Sequence, residues 1–376
     1  MNFPLPPVDS TVLNSLNSPS LLVFADRVRD NIDLMIRIAG SVDRLRPHCK
    51  THKMSAVVRM LLEKGMTRHK AATIAEAEML AEADVRDIVL AYNIVGPNIG
   101  RVTTFLTMFP DVRLAVTADH PTPVAELSAA VTAAGCHSVG VMLDVDVGLH
   151  RTGVNPQHPN AVSIYQAISD ASGLVPAGFH VYDGHQHQHS AEERRQAVLA
   201  EWPKVVDLKQ RCEAAGLKVP ELLCGGTPTF PIYAALTEPE IMLSPGTCIF
   251  QDVGYGDSFR DLSFQPAVVA ITRVISRPTK DRLTLDLGNK AVASDPPKGR
   301  RVWFPDLPDA AQVIHNEEHL VLETDQADRF QPGDILLGIP THICPTSALH
   351  QDVAVLDGGK LTGFWEVTAR NRRLTI

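Results

Sequence analysis

No apolar stretch in this 376-residue chain approaches the roughly 18 residues that a bilayer-spanning helix needs, so no membrane span is expected. Met1 to Ser20 has no basic segment followed by an apolar core, which argues against a signal peptide. There is no CxxC pair. Cys49, Cys136, Cys212, Cys224, Cys248 and Cys344 are scattered, several of them in or beside apolar strand-like runs. That pattern suits reduced thiols in a cytoplasm better than a disulfide framework. There is no excess of positive charge either. The net charge of −8 argues against a nucleic-acid partner but leaves room for a small anionic ligand, which needs only a local basic site. Internal repeats and low-complexity tracts are absent. What remains is ordinary soluble composition, 44% hydrophobic and 21% charged, long enough for one large domain or two.

Within that composition, strand and helix patterns alternate. After a Pro- and Ser-rich arm, Leu21 to Phe24 reads as a strand and Ala25 to Ile38 as a helix. Strand patterns follow at Arg44 to Cys49, Lys70 to Thr73, Asp87 to Tyr92, Val112 to Val116, Ser138 to Val145, Ala177 to Tyr182, Glu221 to Cys224 and Ile241 to Ser244, with helical stretches between them. Eight strands with intervening helices in about 200 residues is the count of a (β/α)8 TIM-like barrel. An open doubly wound sheet is the rival, but the spacing never breaks. From residue 262 the chain turns to short, β-branched, alternating runs punctuated by Gly and Pro, the texture of an all-β domain.

Arg46-Pro47-His48-Cys49-Lys50-Thr51-His52-Lys53 is the densest chemical feature. Pro47 keeps its neighbours extended, which places Lys50 at the C-terminal end of a barrel strand, the edge where ligands bind. So many cations and imidazoles together call for an anionic ligand, and a lysine there can hold a phosphorylated aldehyde as a Schiff base. Cys224-Gly225-Gly226-Thr227-Pro228 follows the seventh strand and opens a helix, a candidate phosphate seat. His342 and Cys344, two apart in what reads as an extended segment, share one face and can ligate one ion. Two protein ligands are too few for a structural zinc and suit an open site. His315-Asn316-Glu317-Glu318-His319 spells a protease pattern, but its surroundings are strand-like and that chemistry needs a helix.

The stretch from Arg46 to Lys53 resembles the RPHxKTHK signature of the D-threonine aldolase and D-serine dehydratase family, pyridoxal phosphate enzymes of the alanine racemase fold type. The resemblance runs over nearly the whole chain. It implies a barrel followed by a β domain, with an N-terminal arm and strand at 1–24 joining the β domain, the barrel at 25–261 and the β domain at 262–376. It implies that Lys50 carries the cofactor. The family's GGGT phosphate loop maps to Gly225, Gly226 and Thr227, with Cys224 in place of one glycine. Its PGxY segment maps to Gly246 and Thr247, with threonine in place of tyrosine. The family's DxGxxRxG arginine, which contacts the cofactor's phenolic oxygen, maps to Arg151. Tyr182 maps to a tyrosine near the pyridine nitrogen. Where some members have YHGSxQH, whose last histidine is a base, this chain has YDGHQHQH; His185, His187 and His189 compete, and His187 is preferred. The family's metal motif matches Pro340 to Thr346, with His342 and Cys344 as ligands. Zinc is favoured by the cysteine; manganese and magnesium are the alternatives.

The expected activity is therefore a pyridoxal phosphate- and metal-dependent aldolase that cleaves D-3-hydroxy amino acids to glycine and an aldehyde. A dehydratase acting on D-serine or a similar substrate needs the same parts. A non-enzymatic cofactor-binding barrel is a further alternative, against which the metal motif argues. The resemblance also implies a homodimer acting on a small D-amino acid.

Overall fold

A computed structural model describes residues 3–376, which divide into two compact units. One comprises residues 36–50, 57–246 and 371–376; the other takes the described residues up to Met35 together with 51–56 and 247–370. Strand β1 (Ser20–Phe24) belongs to the second.

The first unit is a barrel. Its strands, β2 (Arg68–Ala71), β3 (Asp87–Asn93), β4 (Arg113–Ala118), β5 (Val139–Val145), β6 (Leu174–Val181), β7 (Leu222–Cys224) and β8 (Ile241–Leu243), pair in parallel in sequence order. Covered on both faces, β3 to β8 are nearly continuous apolar runs, whereas β2 is Arg-His-Lys-Ala; β5 is Val-Gly-Val-Met-Leu-Asp-Val, buried except at Gly140. Val89, Ala115, Met142, Leu223 and Met242 pack together in one buried cluster. The expected strand at Arg44–Cys49 is not continuous. It makes two isolated parallel bridges, Leu45 to Leu243 and His48 to Lys70, between short helical turns at Val42–Arg44 and Cys49–Thr51. Pro47 has no N–H to give to a ladder. Its carbonyl still accepts from Lys70 N at 2.9 Å, and His48 N donates to Pro245 O at 2.8 Å, so this segment closes the ring between β8 and β2.

Arg46 anchors the segment from below. It is 2% exposed; its Nε and Nη2 each donate to Glu221 at 3.0 Å, and Nη1 donates to Asp87 at 2.8 Å. Removing one member of such a buried group typically costs about 3–5 kcal/mol, because the remaining charges lose their partner. Helices fill the outer layer with ordinary caps. Thr73 accepts from Glu76 N at the start of Ile74–Glu82, and Gly135 ends Pro121–Ala134 in the left-handed region.

The second unit is a twisted β structure. Its further strands are β9 (Val268–Thr279), β10 (Arg282–Leu285), β11 (Val302–Trp303), β12 (Ala311–His315), β13 (Leu320–Glu323), β14 (Ile335–Pro340), β15 (Asp352–Asp357) and β16 (Lys360–Glu366). The order runs β12-β13-β10-β9-β1-β15-β16, with β14 pairing β9 and β11. β1 lies between β9, antiparallel, and β15, parallel, and buries Leu22 and Phe24 with Val269, Ile271, Ile339 and Leu356. The longest segment of this unit, 247–370, opens with the helical turns Thr247–Ile249 and Val253–Ser258 ahead of its strands. The His315–His319 pattern closes the hairpin between β12 and β13, with Asn316 N donating to His319 O at 2.9 Å.

Candidate active site

At the C-terminal end of the barrel strands lies a cavity of about 450 Å3, whose lining includes Lys50, Lys70, Asp144, Arg151, His180 and Tyr182. Lys50 reaches it from the turn Cys49–Thr51, and two contacts fix that turn. His48 Nδ1 lies 3.1 Å from the Lys70 carbonyl oxygen. The Cys49 thiol donates to the buried Glu76 carboxylate at 3.6 Å, which also accepts from Ala72 N at 2.6 Å. Burial, with the Lys70 and Lys50 charges beside it, pushes the His48 imidazole well below its usual range and keeps it neutral.

Tyr182 is the common neighbour. The Nζ atoms of Lys50 and Lys70 stand 5.6 and 5.7 Å from its ring centroid, and the Arg151 guanidinium stands 5.0 Å from it. Gly184 and Gly226 let that ring in: a Cβ at Gly184 would lie 2.4 Å from a ring carbon, and one at Gly226 3.3 Å. Arg151 is set by a tight reversal. Asp146 accepts from Gly148 N and His150 N at 2.9 Å each, and Gly153, at φ +99, lies where any Cβ would be 2.8 Å from Asp146 N. Sequence reading passed over His180, whose Nδ1 is 2.8 Å from Asp144 Oδ1 with both side chains buried. Burial works against the Asp144 charge, but the hydrogen bond and charge of His180, together with Thr152 and Arg151, outweigh it and hold the carboxylate below the usual range. His187 is exposed and is not among the residues lining this cavity.

The glycine loop follows β7. Gly225 sits at φ +70, with Thr229 Oγ1 only 2.9 Å from where a Cβ would be. Gly226 N donates to the Thr229 hydroxyl and Gly246 N to the Thr227 hydroxyl, both at 3.2 Å. The helix starts at Phe230 with Pro231 in its first turn, after residues 227–229 form a turn. The Thr229 hydroxyl donates in turn to Asp183, whose acidity burial weakens.

In the β unit, Thr341 to Thr346 is not extended as expected. His342 has extended backbone at the N-cap of a helix, Ile343–Leu349, and Cys344 lies in its first turn. The two side chains nonetheless meet. Burial opposes charge on His342, but a hydrogen bond with Cys344, the Asp295 carboxylate 2.5 Å from Nδ1 and the nearby Asp252 outweigh it and push the imidazole up to about 9. Asp252, buried and raised to about 6, accepts from Tyr255 N and Ile343 N and so caps the helices on either side. The Cys344 sulfur lies 3.3 Å from the Thr51 hydroxyl and 3.6 Å from that of Thr247. The Thr247 side chain thus faces Cys344, a neighbour that the phosphate motif did not suggest. An imidazole and a thiol with two carboxylates close by form a donor set suited to a divalent cation.

Residues 23–253 match the family model described as alanine racemase, N-terminal domain. The chain belongs to that family. Its fold is the alanine racemase fold, a parallel barrel followed by a β-rich unit. Residues 267–356 match a second model, a putative serine dehydratase domain. A D-threonine aldolase from Arthrobacter sp is 27% identical over 98% of this alanine racemase-family chain and 96% of its own. A 3-hydroxy-D-aspartate aldolase from Paracoccus denitrificans (strain Pd 1222) is 26% identical over 99% and 97%. Among solved structures, a D-threonine aldolase from Filomicrobium marinum superposes with a TM-score of 0.84, at 25% identity over 95% of this chain and 96% of that one. The resemblance read from Arg46 to Lys53 is borne out by these relatives.

Proposed function

We propose that this chain is a pyridoxal phosphate- and metal-dependent lyase that cleaves D-3-hydroxy amino acids to glycine and an aldehyde. The observation that carries the reading is Lys50 in a cavity with Arg151 and Tyr182, at the C-terminal edge of an alanine racemase barrel. The cavity's volume falls in the range of small-molecule sites, and its three cations suit an anionic cofactor.

Lys50 would hold the cofactor through its aldehyde carbon, and the cofactor's ring, when bound, would supply an electron sink. The Gly225–Thr227 loop and Gly246 would hold the phosphate through their backbone N–H groups, of which Gly226 N and Gly246 N donate to threonine hydroxyls in this structure. Arg151 would hold the phenolic oxygen and Tyr182 would serve the pyridine nitrogen, the roles the resemblance implies. In the β unit His342 and Cys344 would hold a divalent ion, zinc by preference for the thiol, which would supply the chemistry of acidifying a hydroxyl. Asp295 orients the His342 ring, and the hydroxyls of Thr51 and Thr247 hold the Cys344 sulfur. His187, exposed on the loop after β6, takes the hydroxyl proton and can pass it to solvent. The dehydratase reading is favoured by the match of residues 267–356 to a serine dehydratase domain; it uses the same ligands and a proton taken from Cα by Lys50. Tyr92 and Val95, 54% and 48% exposed at the cavity, fit the homodimer that the resemblance implies. The six free cysteines fit a reducing cytoplasm, and no helix of the described residues is long and apolar enough to cross a membrane.

The loop assignment is tested by Gly226→Val. The new side chain would press on Tyr182 and block backbone approach, so cofactor affinity measured by absorbance titration should fall by about tenfold or more, with the circular dichroism unchanged. A folded variant with unaltered affinity would remove the loop from the site.

A further inference from the structure

Lys70 is an unusual residue for the interior of a barrel strand. It is 2% exposed, yet lines the same cavity as Lys50 and faces the same tyrosine ring. Buried lysines are rare and need a reason. Every element around it brings a polar or charged group. The segment before Lys50 contributes His48, and Lys50 itself adds a second amine. β5 and its loop contribute Asp144 and Arg151, and β6 contributes His180 with Asp183 just beyond it. β7 contributes Cys224. Both carboxylates have other hydrogen-bond partners, Asp144 with His180 and Asp183 with Thr229, each at 2.8 Å. Burial first, and then the Lys50 charge, push the Lys70 amine down to about 7 against the pull of Asp144, Asp183 and Cys224. An amine of that acidity can both accept and return a proton at neutral pH.

We propose that Lys70 is a further catalytic residue, the acceptor of the proton that an amino acid's ammonium group must lose before it can displace Lys50. The proposal rests on the lyase reading above. The substrate arrives as an ammonium ion, which has no lone pair. One of its N–H bonds breaks and the proton goes to the lone pair on Lys70 Nζ. The neutral nitrogen then attacks the carbon joined to Lys50 Nζ. Its two hydrogens pass to Lys50 as that bond breaks, and Lys50 leaves as a neutral amine. When product departs the steps reverse, and Lys70 returns the proton to the product's amine. No oxidant or net proton is consumed.

The test uses holoenzyme and D-alanine, which has no hydroxyl and so reports only the displacement of Lys50. Stopped-flow absorbance follows the cofactor as a function of pH. The wild type should show a rate that rises through an inflection near neutrality. Lys70→Met should be slower by about tenfold or more at pH 7, and should approach the wild type in alkaline solution, where D-alanine sheds its own proton. Lys70→Arg keeps a charge but cannot accept a proton, and should be equally slow at pH 7. Lys70→Gln gives the same reading should the methionine variant fold poorly. Variants that run parallel to the wild type, or fall by one factor at every pH, would overturn the proposal and leave Lys70 a packing residue. A wild type whose loaded cofactor does not respond to D-alanine at all would overturn the lyase reading, and this inference with it.

Discussion

Lys50→Ala should abolish the absorbance of covalently held cofactor and lower turnover by about three orders of magnitude or more, since it removes the nucleophile on which every later step depends. In the wild type, borohydride reduction followed by peptide mapping should fix the cofactor on Lys50. Lys53, the other lysine of the signature, is the natural competitor, and the structure separates the two. Lys50 lines the barrel cavity with its Nζ over Tyr182. Lys53 lies in the segment 51–56 that belongs to the β unit, in left-handed backbone at φ 56, with its carbonyl accepting from Ala369 N at 3.0 Å. A label on Lys53, or an alanine variant at position 50 with full turnover, would sink the assignment.

Chelation should have the next largest effect. A site with two protein ligands exchanges its ion readily, so a chelator should remove turnover of hydroxy amino acids while leaving the circular dichroism and the cofactor absorbance in place. Cys344→Ala should lower that turnover by about a hundredfold or more, the scale of a lost Lewis acid, yet leave the absorbance response to D-alanine intact. Cys344→Asp should keep a site and shift its preference from zinc toward manganese. Asp295→Asn, which weakens the hold on the His342 ring, should lower metal affinity by about 10- to 100-fold without touching a ligand. Structural zinc would behave differently, because its removal would unfold the β unit. Full turnover by Cys344→Ala without added metal would show that the ion plays no part.

Much of this was legible in the chain because it is written locally. The parallel strands β3 to β8 are apolar runs bounded by helices, and their order follows from that alternation. Arg151, Tyr182 and the Gly225–Thr227 loop each follow a strand and Lys50 follows the bridge at His48, and a barrel gathers strand ends at one rim. What was not legible depends on partners far away in sequence. Asp295 and Asp252 reach His342 and its helix from separate segments, and Thr51 and Thr247 reach Cys344 across about 290 and 100 residues of chain. His180 was overlooked because a single polar residue in a strand looks like an outward position, and Lys70 because it follows Arg68 and His69 in a short run that is polar almost throughout. The signal was there: His180 and Tyr182, two apart, share one face. The extended reading of Thr341 to Thr346 failed because His342 ends β14's extended path and the next residue starts a helix.

The central claim is that Cα–Cβ cleavage is the outcome of this site. Purified protein loaded with pyridoxal phosphate and zinc should be incubated with D-threonine, and in parallel with D-serine, and the products resolved. The account predicts glycine and acetaldehyde in equal amounts from D-threonine, dependent on both additions. Production of a 2-oxo acid and ammonia, with no glycine, would contradict it and establish the dehydratase in its place.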